Sequence, residues 1–292
     1  MRGPIRILLQ TTIPATVDDW SIARFSLLAD HLRTIQDQSG QRIFDVTARD
    51  RDALGAPDSV LSILDRGHFD QLWLFAVDTG NGLTPDDCNA ITRFRNNGGG
   101  LLVTRDHMDL GSSICALGGV GAAHHFHTRN VDPDALKEVD DPYTTNILWP
   151  NFHSGANGDF QTIEAQAPLH PVLSNPQSPT GSIRYLPSHP HEGAVSAPPG
   201  QSARVIATGR SQITGRVFNL AVAFESESGN GRAVAESTFH HFTDYNWRPA
   251  LGAPSFVTEP VGDALAGNPT AMADVHRYAR NIALWLANLP VQ

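Results

Sequence analysis

Along the first hundred residues, apolar positions come alternately in short solid runs and at three-to-four spacing. The run "IRILLQT" (residues 5–11) lies between a Gly-Pro and a Thr/Pro loop and predicts a buried strand. Asp18 or Asp19 then stands where a helix cap is needed. Trp20, Ala23, Leu27, His31 or Leu32, and Ile35 follow at helical spacing, so one face of that helix should pack on the sheet. "FDVTARD" reads as a second strand and "DSVLSILDRG" as a short helix. "FDQLWLFAV" (residues 69–77) reads as a third strand, too uniformly apolar to have a wet face. Strands buried on both sides belong to parallel sheets covered by helices.

The next helix is sharply punctuated. Thr84 is the N-cap, Pro85 takes the first helical position, Asp86 and Asp87 fill the first turn, and Leu83 can staple onto Cys88. Cys88, Ile91 and Phe94 form its inward stripe, and "NNGGG" ends it with glycines able to take positive φ. "GLLVTRD" (residues 100–106) is the fourth strand. The alternation predicts an α/β doubly wound, mostly parallel open sheet with helices on both faces. From 118 to 202 the rhythm is lost among Pro, Gly, His, Asn and Asp, which predicts a loop-rich insertion forming a pocket wall or lid. "ARVIATGR", "GRVFNLAVAFE" and "GRAVAESTFHH" restore it as strands including a hairpin. Val275, Tyr278, Ile282, Trp285 and Leu289 mark a final amphipathic helix.

Composition narrows the function classes. A formal charge of -9 without a local run of Lys and Arg argues against nucleic acid as a partner. No apolar window approaches a membrane span or a signal peptide's h-region, so a cytoplasmic protein with no membrane partner is expected. Two cysteines make no disulfide framework in 292 residues. The thirteen histidines are the unusual count, several bunched in "HHFH", "HPHE" and "FHH". Imidazole titrates near neutrality and ligates metals, so such bunching raises the odds of a site.

Open α/β sheets bind ligands outside the carboxyl ends of their strands, near the switch in strand order. The strand tips here are 10–12, 78–81, 105–109 and 240–244. A Gly-rich turn, an apolar strand ending in a sharp polar turn, and a late strand ending in Phe239-His240 together resemble the class I glutamine amidotransferase-like superfamily, whose fold is flavodoxin-like. The resemblance runs over roughly 1–110 and 200–290 and implies a single domain over 1–292 carrying the 118–202 insertion. It also implies a nucleophilic Cys at the elbow after "GGGLLVTRD" and a catalytic His in a Phe-His-Pro-Glu pattern. This chain has Phe239-His240-His241-Phe242, without the Pro and Glu, and "TRDHMDLG" sets Asp106 or His107 where the Cys belongs. The trehalose-utilisation branch similarly lacks the Cys, and "FDQLWLF" with "LTPDDCNAITRFRNNGGGLLV" is similar to its central segment. Cys88 faces the core, and Cys115 falls more than two helical turns beyond the elbow, so neither fits a nucleophile.

The chemistry is therefore expected from carboxylates, imidazoles or a metal. His240 is the candidate general acid or base, with Asp244 or Asp106 orienting its ring and His107 beside it. The bland alternative is that His240 and His241 are a capped, hydrogen-bonded pair beneath Phe242 and Tyr245. Arg105 could clamp a substrate carboxylate, or simply pair with a neighbouring Asp. His241, Trp247 and His153 are further substrate-binding candidates, and Gly80 is where the resemblance implies a backbone oxyanion donor. His125 with His127, and His189 with His191 and Glu192, are candidate ligands for a divalent metal, although no metal-spacing motif contains them. No phosphate-cradling fingerprint surrounds Gly98, Gly99 and Gly100, so no nucleotide cofactor is expected. The expected function is that of a small-molecule enzyme, a hydrolase or lyase acting on a small polar, sugar-like substrate. A noncatalytic ligand-binding or assembly module is the alternative, and a homo-oligomer is compatible with either.

Overall fold

A computed structural model describes residues 3–139, 141 and 146–291. Eight strands form one sheet: β1 (Ile5–Pro14), β2 (Phe44–Arg51), β3 (Gln71–Phe75), β4 (Gly100–Thr104), β5 (Glu164–Ala165), β6 (Ala203–Arg210), β7 (Val217–Phe224) and β8 (Ala233–Glu236). Their spatial order is β2-β1-β3-β4-β8-β7-β6-β5. The first five pair in parallel and the last three antiparallel. Order 2-1-3-4 followed by a late strand is the flavodoxin-like arrangement, and the chain reverses its winding between β1 and β3. The α/β doubly wound sheet read from the sequence is the observed fold.

Strand residues alternate between two apolar layers, as the period of two requires. Ile7, Leu9, Trp73 and Phe75 meet α1 (Ser26–Thr34) and α3 (Pro269–Leu286), whereas Leu8, Leu72 and Leu74 meet Cys88, Ile91 and Phe94 of α2 (Pro85–Asn96). Thr84 and Asp87 make the reciprocal capping box that starts α2. No helix among the described residues is long and apolar enough to cross a membrane.

Three local expectations are corrected. "DSVLSILDRG" forms only a 3₁₀ turn at Leu61–Ile63, because Asp58 takes the backbone N–H groups of Val60 and Leu61 and the Arg49 guanidinium. Within the stripe at 20–35, Trp20, Leu32 and Ile35 are buried and Leu27 packs against the core as expected, but Ala23 is exposed and Phe25, Leu28 and Ala29 share the buried face. A 3₁₀ turn at Ile22–Phe25 precedes α1, and its three residues per turn rotate the face away from an α-helical register. Neither Asp18 nor Asp19 caps α1. Asp18 accepts from Ser255, Asp19 from the N–H of Trp20, and the capping carboxylate is Asp244, which takes the N–H groups of Ser26 and Leu27 at 3.1 and 2.8 Å.

Candidate active site

Beyond β3, β4 and β8 the chain leaves the sheet in polar turns, and these turns enclose a cavity of about 330 Å³. Val77 and Thr79 follow β3, Asp106, His107 and Leu110 follow β4, and Phe239 and His240 follow β8. Asn157, His189 and His191 of the 118–202 segment line it too, with Phe256 and with Glu259, which pairs with His191 Nε2 at 3.3 Å. Residues 106 and 240, far apart in sequence, thus share one rim, as parallel pairing of β4 with β8 dictates.

Asp106 is the centre of the cluster. Its Oδ1 lies 3.2 Å from His189 Nε2, and its Oδ2 lies 3.8 Å from His240 Nε2 and 3.2 Å from His107 Nδ1. Burial opposes its charge, yet the imidazoles of His107 and His189 outweigh that and hold the carboxyl well below the usual range. Burial pushes His189 down to about 4 and, with His189 close by, takes His240 well below an ordinary imidazole. The rings of His189 and His240 stack at 3.6 Å, and Trp20 meets the edge of His240 at 4.6 Å. His240 therefore cannot turn without disturbing both neighbours.

A 3₁₀ turn at Phe239–Phe242, capped by Thr238, separates the two adjacent histidines. At roughly 120° per residue such a turn sends successive side chains apart. His240 enters the cavity while His241 goes behind it, between Glu236 (3.0 Å) and Glu192 (3.5 Å). Burial works against its charge, but the two carboxylates outweigh burial and push His241 up to about 10. Glu192 also accepts from Ser154 and Ser237, both at 2.6 Å, so this buried network ties the 189–192 loop to the turn after β8.

The other candidates fall into different places. Arg105 spends its guanidinium on the carbonyls of His125, Ala194 and Met108 over the ring of Phe126, so it is no substrate clamp; burial lowers it to about 9. Gly193 has no side chain because a Cβ would sit 2.5 Å from Arg105 Nε. Asp244 caps α1, and the group that orients His240 is Asn246, 3.0 Å from its Nδ1. The N–H of Gly80 already donates to Asp78 at 2.7 Å, which corrects its assignment as an oxyanion donor. Trp247 donates to the carbonyl of His241 outside the cavity, and His153 is buried away from the lining. His125 is held by Asn130 and Ser196 and His127 by the carbonyl of Trp149, so this pair does not converge with His189 and His191. Sequence reasoning missed Asn157, Glu259 and Phe256, which sit in loops without periodic signal. It also passed over Asn246, which lies between the candidates Asp244 and Trp247. Burial raises both thiols, Cys88 to about 11, and neither lines the cavity.

No family model and no curated protein matches the chain. Among solved structures, the fold is similar to a ThuA-like protein from Parabacteroides merdae. The TM-score is 0.51 at 15% identity, covering 99% of this chain and 92% of that one. A cytoplasmic protein from Salmonella typhimurium gives 0.46 at 14% identity, covering 98% and 100%. The glutaminase domain of Trypanosoma brucei CTPS gives 0.42 at 16% identity, covering 93% of each chain. At such identities the likeness is one of fold alone.

Proposed function

We propose that the chain is a small-molecule enzyme, a hydrolase or lyase, whose reaction takes place over Asp106. The observation that carries this reading is a carboxylate, almost fully buried, facing three imidazoles in a cavity open at the strand ends. A buried charge in a cleft is costly to maintain for packing alone, and perturbed groups of this kind concentrate at reactive sites. His107 and His191 line the cavity beside the carboxylate and are placed to move protons to or from a bound substrate.

The walls support a reading of the substrate class. Trp20, Phe239, Phe256 and Val257 are apolar, while Asp19, Asp106 and Glu259 are acidic, and none of the described lining residues is Lys or Arg. Such a lining suits a neutral or cationic polar molecule, with aromatic faces against a sugar-like ring, and repels phosphorylated or carboxylated ones. The test is turnover of a panel of small chromogenic esters, amides and glycosides, neutral and anionic. Cleavage of a neutral member is expected, with kcat/KM lowered about 10²–10⁴-fold by Asp106→Asn. Neutral ligands that raise Tm without any turnover would instead identify a noncatalytic binding module.

A further inference from the structure

The hydrogen bonds behind the cavity fix where the protons of His189 and His240 reside. Asn246 donates through Nδ2 to the carbonyl of Ser188 at 2.8 Å, an atom that can only accept. The same Nδ2 donates to Asn157 Oδ1 at 3.0 Å. Asn246 Oδ1 is therefore an acceptor, and it takes the Thr243 hydroxyl at 2.8 Å and His240 Nδ1 at 3.0 Å. Asn157 Oδ1 is likewise an acceptor and takes His189 Nδ1 at 2.8 Å. In its neutral form each imidazole therefore carries its proton on Nδ1 and turns the lone pair of Nε2 toward Asp106.

With Nδ1 donating to an amide oxygen, each neutral imidazole presents its Nε2 lone pair to the same carboxylate, and a cation seated among them would be held by all three groups. All three side chains are buried, at 3–4% exposure, and His189 Nε2 has no hydrogen-bond partner. The three donor atoms lie within 4.8 Å of one another. A tetrahedral ion with bonds of about 2.0–2.2 Å separates its ligand atoms by about 3.3–3.6 Å. His189 Nε2 lies 3.2 Å from Asp106 Oδ1 and His240 Nε2 3.8 Å from Asp106 Oδ2, separations near that span. Amide oxygens holding the outer nitrogens of ligating histidines are the usual support of such centres.

We propose that Asp106, His189 Nε2 and His240 Nε2 bind one divalent transition-metal ion, with its open side toward the cavity. Two imidazoles and one carboxylate select Zn²⁺, Mn²⁺ or Fe²⁺ over Mg²⁺ and Ca²⁺, which prefer oxygen ligands throughout. Three protein ligands leave a position for water or substrate, the mark of a reactive centre as opposed to a structural one. This assignment deepens the enzyme reading of the same cavity, but it is read without turnover.

The experiment is calorimetric titration of chelator-treated, dialysed protein with Zn²⁺ and, separately, Mg²⁺. One Zn²⁺ per chain is expected, with Mg²⁺ at least 100-fold weaker. His189→Asn, His240→Asn and Asp106→Asn should each weaken Zn²⁺ at least 100-fold while leaving the circular dichroism unchanged. His125→Asn, outside the cluster, should bind as the parent does. Folded protein that takes up no ion, or variants that bind as the parent does, would overturn the site. Where a variant does not fold, the Co²⁺-loaded parent reports the ligands directly. A visible spectrum of tetrahedral or five-coordinate nitrogen–oxygen character supports the site, and a thiolate charge-transfer band or an octahedral aquo-like spectrum overturns it. Stoichiometric metal in a protein without turnover removes the enzyme reading and leaves the site. Chelator-resistant turnover by metal-free protein does the reverse.

Discussion

At the scale of single residues, the weight rests on two asparagines behind the cluster's histidines. Asn246 and Asn157 fix which nitrogen of each histidine faces Asp106, and Asn246 Nδ2 in turn orients Asn157 Oδ1. Asn246→Ala and Asn157→Ala are each expected to weaken Zn²⁺ about 10–100-fold, the usual cost of losing an outer-shell partner of a metal ligand. Because one amide holds the other, the double variant should lose less than the product of the two single losses. Calorimetric affinities for the four proteins check this, and a full product of effects would show that the amides act independently. His240, Asp106 and His107 were legible from their place at strand tips, and His189 and His191 from their clustering. The convergence of those two groups was not, because 83 positions separate Asp106 from His189 and no spacing rule spans a loop of that composition. Asn157 and Asn246 were illegible for a different reason. An amide does its work through one hydrogen bond in space, and nothing in composition or periodicity marks it.

At the scale of elements, the parallel strands β1 to β4 could be read to within about three residues at their ends and the start of α2 to the residue, from solid apolar runs and a complete capping box. The start of α1 could not, because its cap comes from 218 positions away. Asp244 accepts from the N–H groups of Ser26 and Leu27 and from the Ser26 hydroxyl, at 3.1, 2.8 and 2.6 Å. It thereby ties α1 to the turn that carries Asn246. Asp244→Ala should cost about 1–2 kcal/mol, at the upper part of the range for lost caps because three donors lose their acceptor. Asp244→Asn, which still caps, should cost less. Urea unfolding measures both, and Zn²⁺ affinity should stay within about twofold of the parent if Asp244 serves the helix and not the centre. A loss of metal binding as large as that of Asn246→Ala would show instead that the turn itself had moved.

At the scale of the whole molecule, acid is opposed by imidazoles buried far from the cavity. His124, fully buried with the Arg105 charge nearby, and His170, under Trp285 and near Arg204 and Arg232, are both pushed down to about 3, by burial first and by those guanidiniums next. His170 Nδ1 accepts the N–H of Val172 at 3.2 Å, so taking up a proton there means breaking that bond. An unfolded chain protonates these histidines near 6.5, so between about 6.5 and 3 it binds more protons than the folded one, and stability falls as pH falls through that window. From pH 6.5 to 5 each contributes a loss of about 2 kcal/mol, at roughly 1.4 kcal/mol per pH unit. Protonating surface carboxylates on a chain of net charge -9 relieves self-repulsion and works the other way. Exposed charges are screened by salt over about 10 Å, whereas a desolvated imidazole is not, so the buried groups decide the sign. His170→Asn keeps an acceptor for Val172 without a titrating group. Urea unfolding at pH 7 and pH 5 should give a stability drop smaller by about 2 kcal/mol in that variant than in the parent. Equal drops would show that His170 is already protonated in the folded protein, or that its burial is relieved in solution.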